Sequence, residues 1–266
     1  MSARVLITGA SGGIGGAASA ALRARGARVI GLDLRADDAH DVIACDVRDQ
    51  TAVDAAVAEA IARLGGLDVL INNAGIGIPQ SAGDPPDAGA LAVLDVNLLG
   101  PWRITAAALP ALRATRGRVV NVASGLAHVT VPFATAYCMS KRGLVAYSDA
   151  LRLEHGDAVR VTTVYPGYIQ TAIHDAGRDL GLGLEGAVPP EKLSDAAGAL
   201  VRAALGPPAR DLATTRRGTV GYALARRTPR ALLDRVARAQ LRRLARKGYF
   251  DGSEMAAPFG ARMKSP

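Results

Sequence analysis

Tyr137 and Lys141 stand four residues apart in Tyr137-Cys138-Met139-Ser140-Lys141, which puts a phenol and an ammonium on one face if the segment is helical. A tyrosine of pKa about 10 is a poor base at neutral pH, but a cation held beside it favours the phenolate. Lys141 is therefore expected to tune Tyr137 for proton transfer. Taken alone such a pair is more often an exposed helical pair, so its surroundings decide. Ser124 follows an apolar run and lies thirteen residues before Tyr137, where its hydroxyl would bond a reacting oxygen at the carboxyl edge of a sheet. Asn97 opens an apolar helical stretch, and a helix-capping role there is compatible with a role at the site.

A second group of residues is suited to phosphate. Thr8-Gly9-Ala10-Ser11-Gly12-Gly13-Ile14-Gly15 directly follows an apolar run and precedes a helical one, Gly16 to Arg25. Glycines at a strand-to-helix turn let the backbone approach a pyrophosphate, whose charge then lies at the positive end of the helix. The spacing of Gly9, Gly13 and Gly15 is G-x-x-x-G-x-G, although Gly13-x-Gly15-x-x-Ala18 also satisfies the looser dinucleotide form. Asp33 closes the next apolar run, eighteen residues beyond Gly15, where an acid binds ribose hydroxyls and repels a 2′-phosphate. No Lys or Arg lies within the glycine loop, so NAD is favoured over NADP; Arg35 is the nearby cation that could favour NADP, and a solvated strand-end acid is the plainer account of Asp33.

These residues need elements to hold them. Runs rich in Val, Ile and Leu mark strands at Arg4–Thr8, Ala27–Asp33, Val42–Cys45, Leu67–Asn72, Arg118–Ala123 and Val159–Val164. Between them Thr51–Leu64 sets Val53, Val57, Ala60, Ile61 and Leu64 on one helical face. Strand and helix in alternation imply an α/β fold, a doubly wound Rossmann-type parallel sheet in a single domain with a C-terminal helical extension. The domain is expected over residues 1–225, with a substrate flap at about 167–193 and a basic extension at 226–266. Asn97–Arg113 is apolar nearly all round, which calls for a second covering layer such as a subunit interface.

Thr8-Gly9-x-x-x-Gly13-Ile14-Gly15, Asp46-Val47, Asn72-Asn73-Ala74-Gly75, Asn97, Ser124, Tyr137-x-x-x-Lys141 and Pro166-Gly167 follow one another in the order and spacing of the short-chain dehydrogenase/reductase family. The chain resembles that family over roughly residues 4 to 215. The resemblance implies an oxidoreductase in which Tyr137 is the general acid/base, Lys141 also holds the nicotinamide ribose, Ser124 orients the carbonyl and Asn97 supports a water relay. It likewise implies a cofactor site comprising Gly9, Ser11, Gly13, Ile14, Gly15, Asp33, Asp46, Val47, Asn73, Ala74, Gly75, Tyr137, Lys141, Pro166, Gly167, Ile169 and Thr171, with Asp46 at the adenine and Thr171 at the carboxamide. A homodimer or homotetramer through helices matching Asn97–Arg113 and Tyr137–Glu154 is implied as well. A nucleotide sensor without turnover would be expected to lose Tyr, Lys or Ser, and a sugar epimerase or dehydratase would resemble a longer chain with different glycine spacing.

The chain's 266 residues, 49% hydrophobic and 21% charged, suit one compact globule that needs neither disulfides nor a structural metal. Cys45 and Cys138 belong to no C-x-x-C pair, and the strand-like run begins directly after Met1, so a cytoplasmic location without a leader is expected. The net charge of +8 is concentrated between Arg226 and Lys247, where nine basic residues face a single acid, Asp234; the neutral remainder offers no nucleic-acid footprint. As a helix, Arg230–Lys247 gathers Leu233, Val236, Ala237, Leu241 and Leu244 on one side and Arg235, Arg238, Arg242 and Arg246 on the other. A solvated arginine face, peripheral contact with anionic lipid, and an acidic protein partner are the three readings of that helix.

The substrate is expected to be a small-molecule secondary alcohol or ketone. Leu126, Val131, Phe133, Ile169, Ile173, Leu180, Leu182 and Leu184 make the expected pocket segments apolar, without a basic cluster for a phosphate or carboxylate, so a lipophilic substrate is favoured. His128 and His174 fall in the same segments and are assigned no role.

Overall fold

The computed structural model describes residues 2–183, 185 and 188–265. Seven strands form one fully parallel sheet: β1 (Arg4–Thr8), β2 (Arg28–Asp33), β3 (Val42–Ala44), β4 (Val69–Asn72), β5 (Arg118–Val122), β6 (Arg160–Tyr165) and β7 (Asp211–Ala213). The order is β3-β2-β1-β4-β5-β6-β7. The chain winds outward from β1 in one direction, returns, and continues from β4 in the other. The crevice at the carboxyl ends of β1 and β4 is therefore where connections diverge and where a ligand finds room.

Alternation along each strand feeds two cores. Leu6, Ile30, Leu32, Leu70 and Val119 meet one layer of helices, α2 (Gln50–Leu64), α4 (Gly100–Thr115) and α5 (Thr135–His155). Val5, Ile7, Val29, Ile71 and Val120 meet the other, α1 (Gly13–Arg23) and α7 (Leu193–Leu205). Burial of both faces explains why these strands read as continuous apolar runs rather than as alternating ones. A buried polar chain crosses the first layer: Asn72 Nδ2 donates to Thr105 Oγ1 at 2.9 Å and Asn121 Oδ1 at 2.8 Å, and Asn121 Nδ2 donates to Ser148 Oγ at 2.8 Å. It fixes α4 and α5 against β4 and β5.

The six expected strands are present with ends shifted by a few residues, and β7 is an addition. Its three residues, Asp211-Leu212-Ala213, are too few to show a period. The apolar stretch beginning at Asn97 is interrupted: α3 (Ala88–Leu94) runs into a π-helical turn at Asp95–Leu99 before α4 begins. Asn97 is thus inside that turn and is not an N-cap. α4 buries Ile104, Thr105, Ala108 and Leu112, while Trp102 stays exposed and packs on Tyr147 of α5 with ring centroids 5.5 Å apart.

Past β6 come a short helix α6 (Asp175–Asp179) and α7; past β7 come α8 (Arg216–Arg227), α9 (Arg230–Arg246) and α10 (Ala257–Lys264). α8 runs through position 225, where the change in composition had suggested a boundary. α9 and α10 pack on each other around Ala245, Phe250 and Ala256, with Phe133 and Leu182 joining from the body of the molecule. Of the apolar side expected on this helix, Leu241 and Leu244 turn inward together with Ala245, whereas Val236 is 62% exposed.

Candidate active site

The glycine loop is shaped by close approaches that exclude a side chain. Gly9 and Gly13 have φ of +67° and +51°, and a Cβ on Gly15 would lie 1.9 Å from the carbonyl oxygen of Gly9, so α1 starts hard against its own loop. Thr8 Oγ1 accepts from the backbone N–H groups of Asn73 and Ala74, each at 3.0 Å. Asn73 Nδ2 returns bonds to the carbonyl oxygens of Thr8 and Gly9, at 3.0 and 3.2 Å. Asn73 therefore ties the β4 turn to the loop. Asp33 is held by the backbone N–H of Ser11 at 2.9 Å and of Leu34 at 2.8 Å, which fixes its carboxylate beside the loop.

A cavity of about 700 Å3 lies over this crevice. Gly9, Gly13, Ile14, Asp33, Asp46 and Val47 line one part of it, and Asn73, Ala74, Gly75, Pro166, Gly167, Ile169 and Thr171 continue the wall. Ser124, Tyr137 and Lys141 line it as well, so the catalytic candidates face the same space as the glycine loop. Ser11 and Gly15 do not line it: one positions Asp33 and the other allows α1 to close on the loop. Asp46 spends its carboxylate on Arg48, 2.6 Å away, and the guanidinium holds the acid below its usual pKa while burial works against it.

Tyr137 and Lys141 project from α5. Burial pushes the Tyr137 phenol up to about 12, and a hydrogen bond with the Ser124 hydroxyl pulls the other way. Lys141, 3% exposed, is lowered to about 8 by burial, and its Nζ donates to the carbonyl oxygen of Val122 at 2.9 Å. The ammonium is 5.7 Å from the centroid of the Tyr137 ring. Burial therefore raises the phenol, and the lowering expected from Lys141 is not seen in this structure. The phenol is held protonated, which is the form of a proton donor.

Asn97 is wholly buried and does not line the cavity. Its Nδ2 donates to the carbonyl oxygen of Ile76 at 2.9 Å and to Ser140 Oγ at 3.2 Å, and its Oδ1 accepts from the Ile76 N–H at 2.8 Å. The π-helical turn aims it at the backbone of Ile76, just past Gly75, and a Cβ on Gly75 would meet Asn97 Oδ1 at 3.2 Å and Lys141 Nζ at 3.5 Å. Asn97 acts on the site by positioning its floor.

Beyond Tyr137 the cavity becomes apolar. Leu126, Val131, Ile169 and Ile173 line it as expected, and a second chamber of about 290 Å3 adjoins it, with Leu126, Val131, Tyr137 and Ile173 shared between the two. Phe133 and Leu182 line this second chamber, Leu180 lines neither, and Leu184 lies outside the described residues. His174 lines both chambers and is lowered mainly by burial, whereas His128 packs against Tyr165 and Tyr222 at 4.7 and 5.4 Å between ring centroids.

Three contributions escaped the sequence. Tyr222 of α8 reaches the main cavity over Gly125, and Leu241, Leu244 and Phe250 wall the second chamber. Glu191 accepts the Gly167 N–H at 3.0 Å and the hydroxyl of Thr214, joining the turn after β6 to the end of β7. The helical periodicity of α9 showed an inward face, but nothing local showed what it would cover.

The arrangement combines an anion-accepting loop, an acid beside it, and a hydroxyl, phenol and ammonium at one apolar wall. The short chain dehydrogenase signature matches residues 3–179. Retinol dehydrogenase 16 of Homo sapiens is 38% identical over 196 residues, covering 68% of this chain and 61% of that protein, so the chain spans less than two thirds of that relative's length. D-threitol dehydrogenase of Mycolicibacterium smegmatis is 35% identical over 183 residues, 63% of this chain and 70% of that protein. The solved structure of a short chain dehydrogenase from Burkholderia cenocepacia in complex with NADP superposes with a TM-score of 0.73 at 27% identity, over 86% of this chain and 94% of that one.

Proposed function

The chain belongs to the short-chain dehydrogenase family, and from that membership we propose that it is an NAD(H)-dependent oxidoreductase interconverting a lipophilic secondary alcohol and its ketone. The observation that carries this reading is that Tyr137, Ser124 and Lys141 line the same cavity as the glycine loop. A dinucleotide fits the residues present. The positive φ of Gly13 leaves a cradle that a Cβ would fill, within 3.4 Å of the Thr171 methyl. Gly9, Gly13 and Ile14 would hold the pyrophosphate, Asp33 the adenosine ribose, and Lys141 the nicotinamide ribose. The bound nicotinamide supplies or accepts the hydride.

Tyr137 moves the proton at its phenolic oxygen. In reduction it gives that proton to the carbonyl oxygen, which the Ser124 hydroxyl orients by a second hydrogen bond. Burial that keeps the phenol protonated favours this donor role. In oxidation the phenol must accept a proton, and the neighbouring ammonium of Lys141 then offsets the charge it develops. NAD is favoured over NADP because a 2′-phosphate would meet the Asp33 carboxylate, while Arg48 at the same wall is already paired with Asp46. The retinol named for the human relative suits the apolar chambers better than a polyol does. A homodimer or homotetramer through α4 and α5 is supported by exposed Trp102, Met139 and Leu153.

A screen of secondary alcohols and ketones, followed by NADH absorbance with wild type and Tyr137→Phe, tests the reading. Wild type is expected to turn over lipophilic members, and the Phe variant to bind NADH but lose turnover. A variant retaining more than about a tenth of kcat/KM, a loss under ~1.4 kcal/mol, would remove Tyr137 from its role.

A further inference from the structure

α8 and α9 are each two-faced. Tyr222 of α8 points to the main cavity, while Val220 and Leu224, one turn apart on the opposite side, are each 61% exposed. Leu241 and Leu244 of α9 wall the second chamber, while Leu232 and Val236, again one turn apart, are 51% and 62% exposed. On the outward side of α9 these two apolar residues share the surface with Arg235, Arg238, Arg242, Arg243 and Arg246, all exposed. Among the described residues none of these five guanidiniums has an acidic partner. Exposed aliphatic pairs beside a row of free guanidiniums form a surface that water solvates only in part.

We propose that α8 and α9 form a docking face for an anionic phospholipid bilayer, so that the helices closing the apolar chambers are the ones lying on the membrane. The occupant follows from the combination. Guanidiniums alone would suit an acidic protein or a nucleic acid, but aliphatic side chains protruding at helical spacing between them match a headgroup layer with hydrocarbon beneath it. The inward faces supply the second argument. A lipophilic substrate dissolved in a bilayer would have only the thickness of α9 between it and the second chamber, a shorter route than through water. This coupling rests on the reading of both chambers as the site of a lipophilic substrate, whereas the docking itself does not.

Co-sedimentation of the full chain with phosphatidylcholine vesicles, with and without about a third phosphatidylglycerol, tests the proposal at low and physiological salt. Binding to the anionic vesicles alone is expected, and Leu232→Glu/Val236→Glu should lower it at least tenfold while leaving NADH binding and the thermal transition unchanged. No pelleting of wild type with anionic vesicles overturns the proposal. Undiminished pelleting of the double variant does so too, because adsorption would then be purely electrostatic. Capture by an acidic protein without any binding to vesicles would assign the face to that partner instead. Vesicle binding without any turnover of alcohols or ketones would keep the docking face and refute the enzymatic reading, so the two fail separately.

Discussion

Lys141 donates from Nζ to the carbonyl oxygen of Val122 at 2.9 Å while its charge lies 5.7 Å from the centre of the Tyr137 ring. The ammonium is thus anchored on β5 rather than on the phenol, and burial lowers it to about 8. A lysine whose folded pKa is depressed opposes folding while it is charged. Between about 8 and the ordinary 10.5 the unfolded chain binds more protons, so stability contributed through Lys141 should rise with pH across that window. Tyr137, raised to about 12, acts in the opposite sense only above its ordinary 10. Urea unfolding at pH 8 and pH 10 should therefore show a steeper gain for wild type than for Lys141→Met, by up to about 2 kcal/mol. Parallel slopes in the two proteins would show that Lys141 carries no such penalty.

Gly15 gives a sharper structural test. A Cβ there would approach the Gly9 carbonyl oxygen to 1.9 Å and Asn73 Nδ2 to 2.6 Å, both parts of the link between loop and β4. Relief requires moving backbone, so Gly15→Ala should cost roughly 1–3 kcal/mol in stability and weaken NADH binding together. Gly12, where a Cβ would meet no protein atom within 4 Å, serves as the control for the fold: Gly12→Ala should leave the thermal transition nearly unchanged. A Gly15→Ala protein with wild-type melting and NADH affinity would contradict the packing described here.

Much of this was legible beforehand for a physical reason. Val5 to Ile7 and Val119 to Val122 lie within a sheet covered on both faces, which writes itself as local apolar runs. Tyr137 and Lys141 share one helix, so their spacing alone put them together. What stayed hidden depends on distant chain. Glu191 meets Gly167 across 24 residues, and Leu241 reaches a chamber floored by residues more than a hundred positions earlier. The upward shift of Tyr137 is not legible in the sequence, because spacing shows the neighbouring lysine but not the burial that raises the phenol.

Asp33 is expected to set cofactor choice through its charge, but it also braces the loop through Ser11 and Leu34. Replacement by alanine would mix the two effects. Asp33→Asn keeps one carbonyl oxygen, enough for one of the two backbone N–H groups, while removing the repulsion of a 2′-phosphate, so the ratio of kcat/KM for NADH over NADPH should fall at least tenfold, about 1.4 kcal/mol. Wild type that already used NADPH as well as NADH would defeat the assignment before the variant was made.

The second chamber makes a prediction about substrate length. It adjoins the main cavity at Tyr137 and ends against Leu241, Leu244 and Phe250, so a short alcohol would be held without entering it and an elongated one would not. Leu241 is only partly buried in the cluster around Ala245 and Phe250, so a larger side chain there can grow into the chamber at modest cost to the fold. Leu241→Trp should lower kcat/KM for long-chain secondary alcohols by tenfold or more while changing short ones by less than about twofold, because the added ring occupies space that only the long substrate needs. The short substrate also guards against a trivial loss of activity, since misfolding would lower both series alike. Measuring the two series on wild type and on a variant that keeps the wild-type thermal transition decides the point: an unchanged ratio of long to short chains would mean that the chamber receives no substrate.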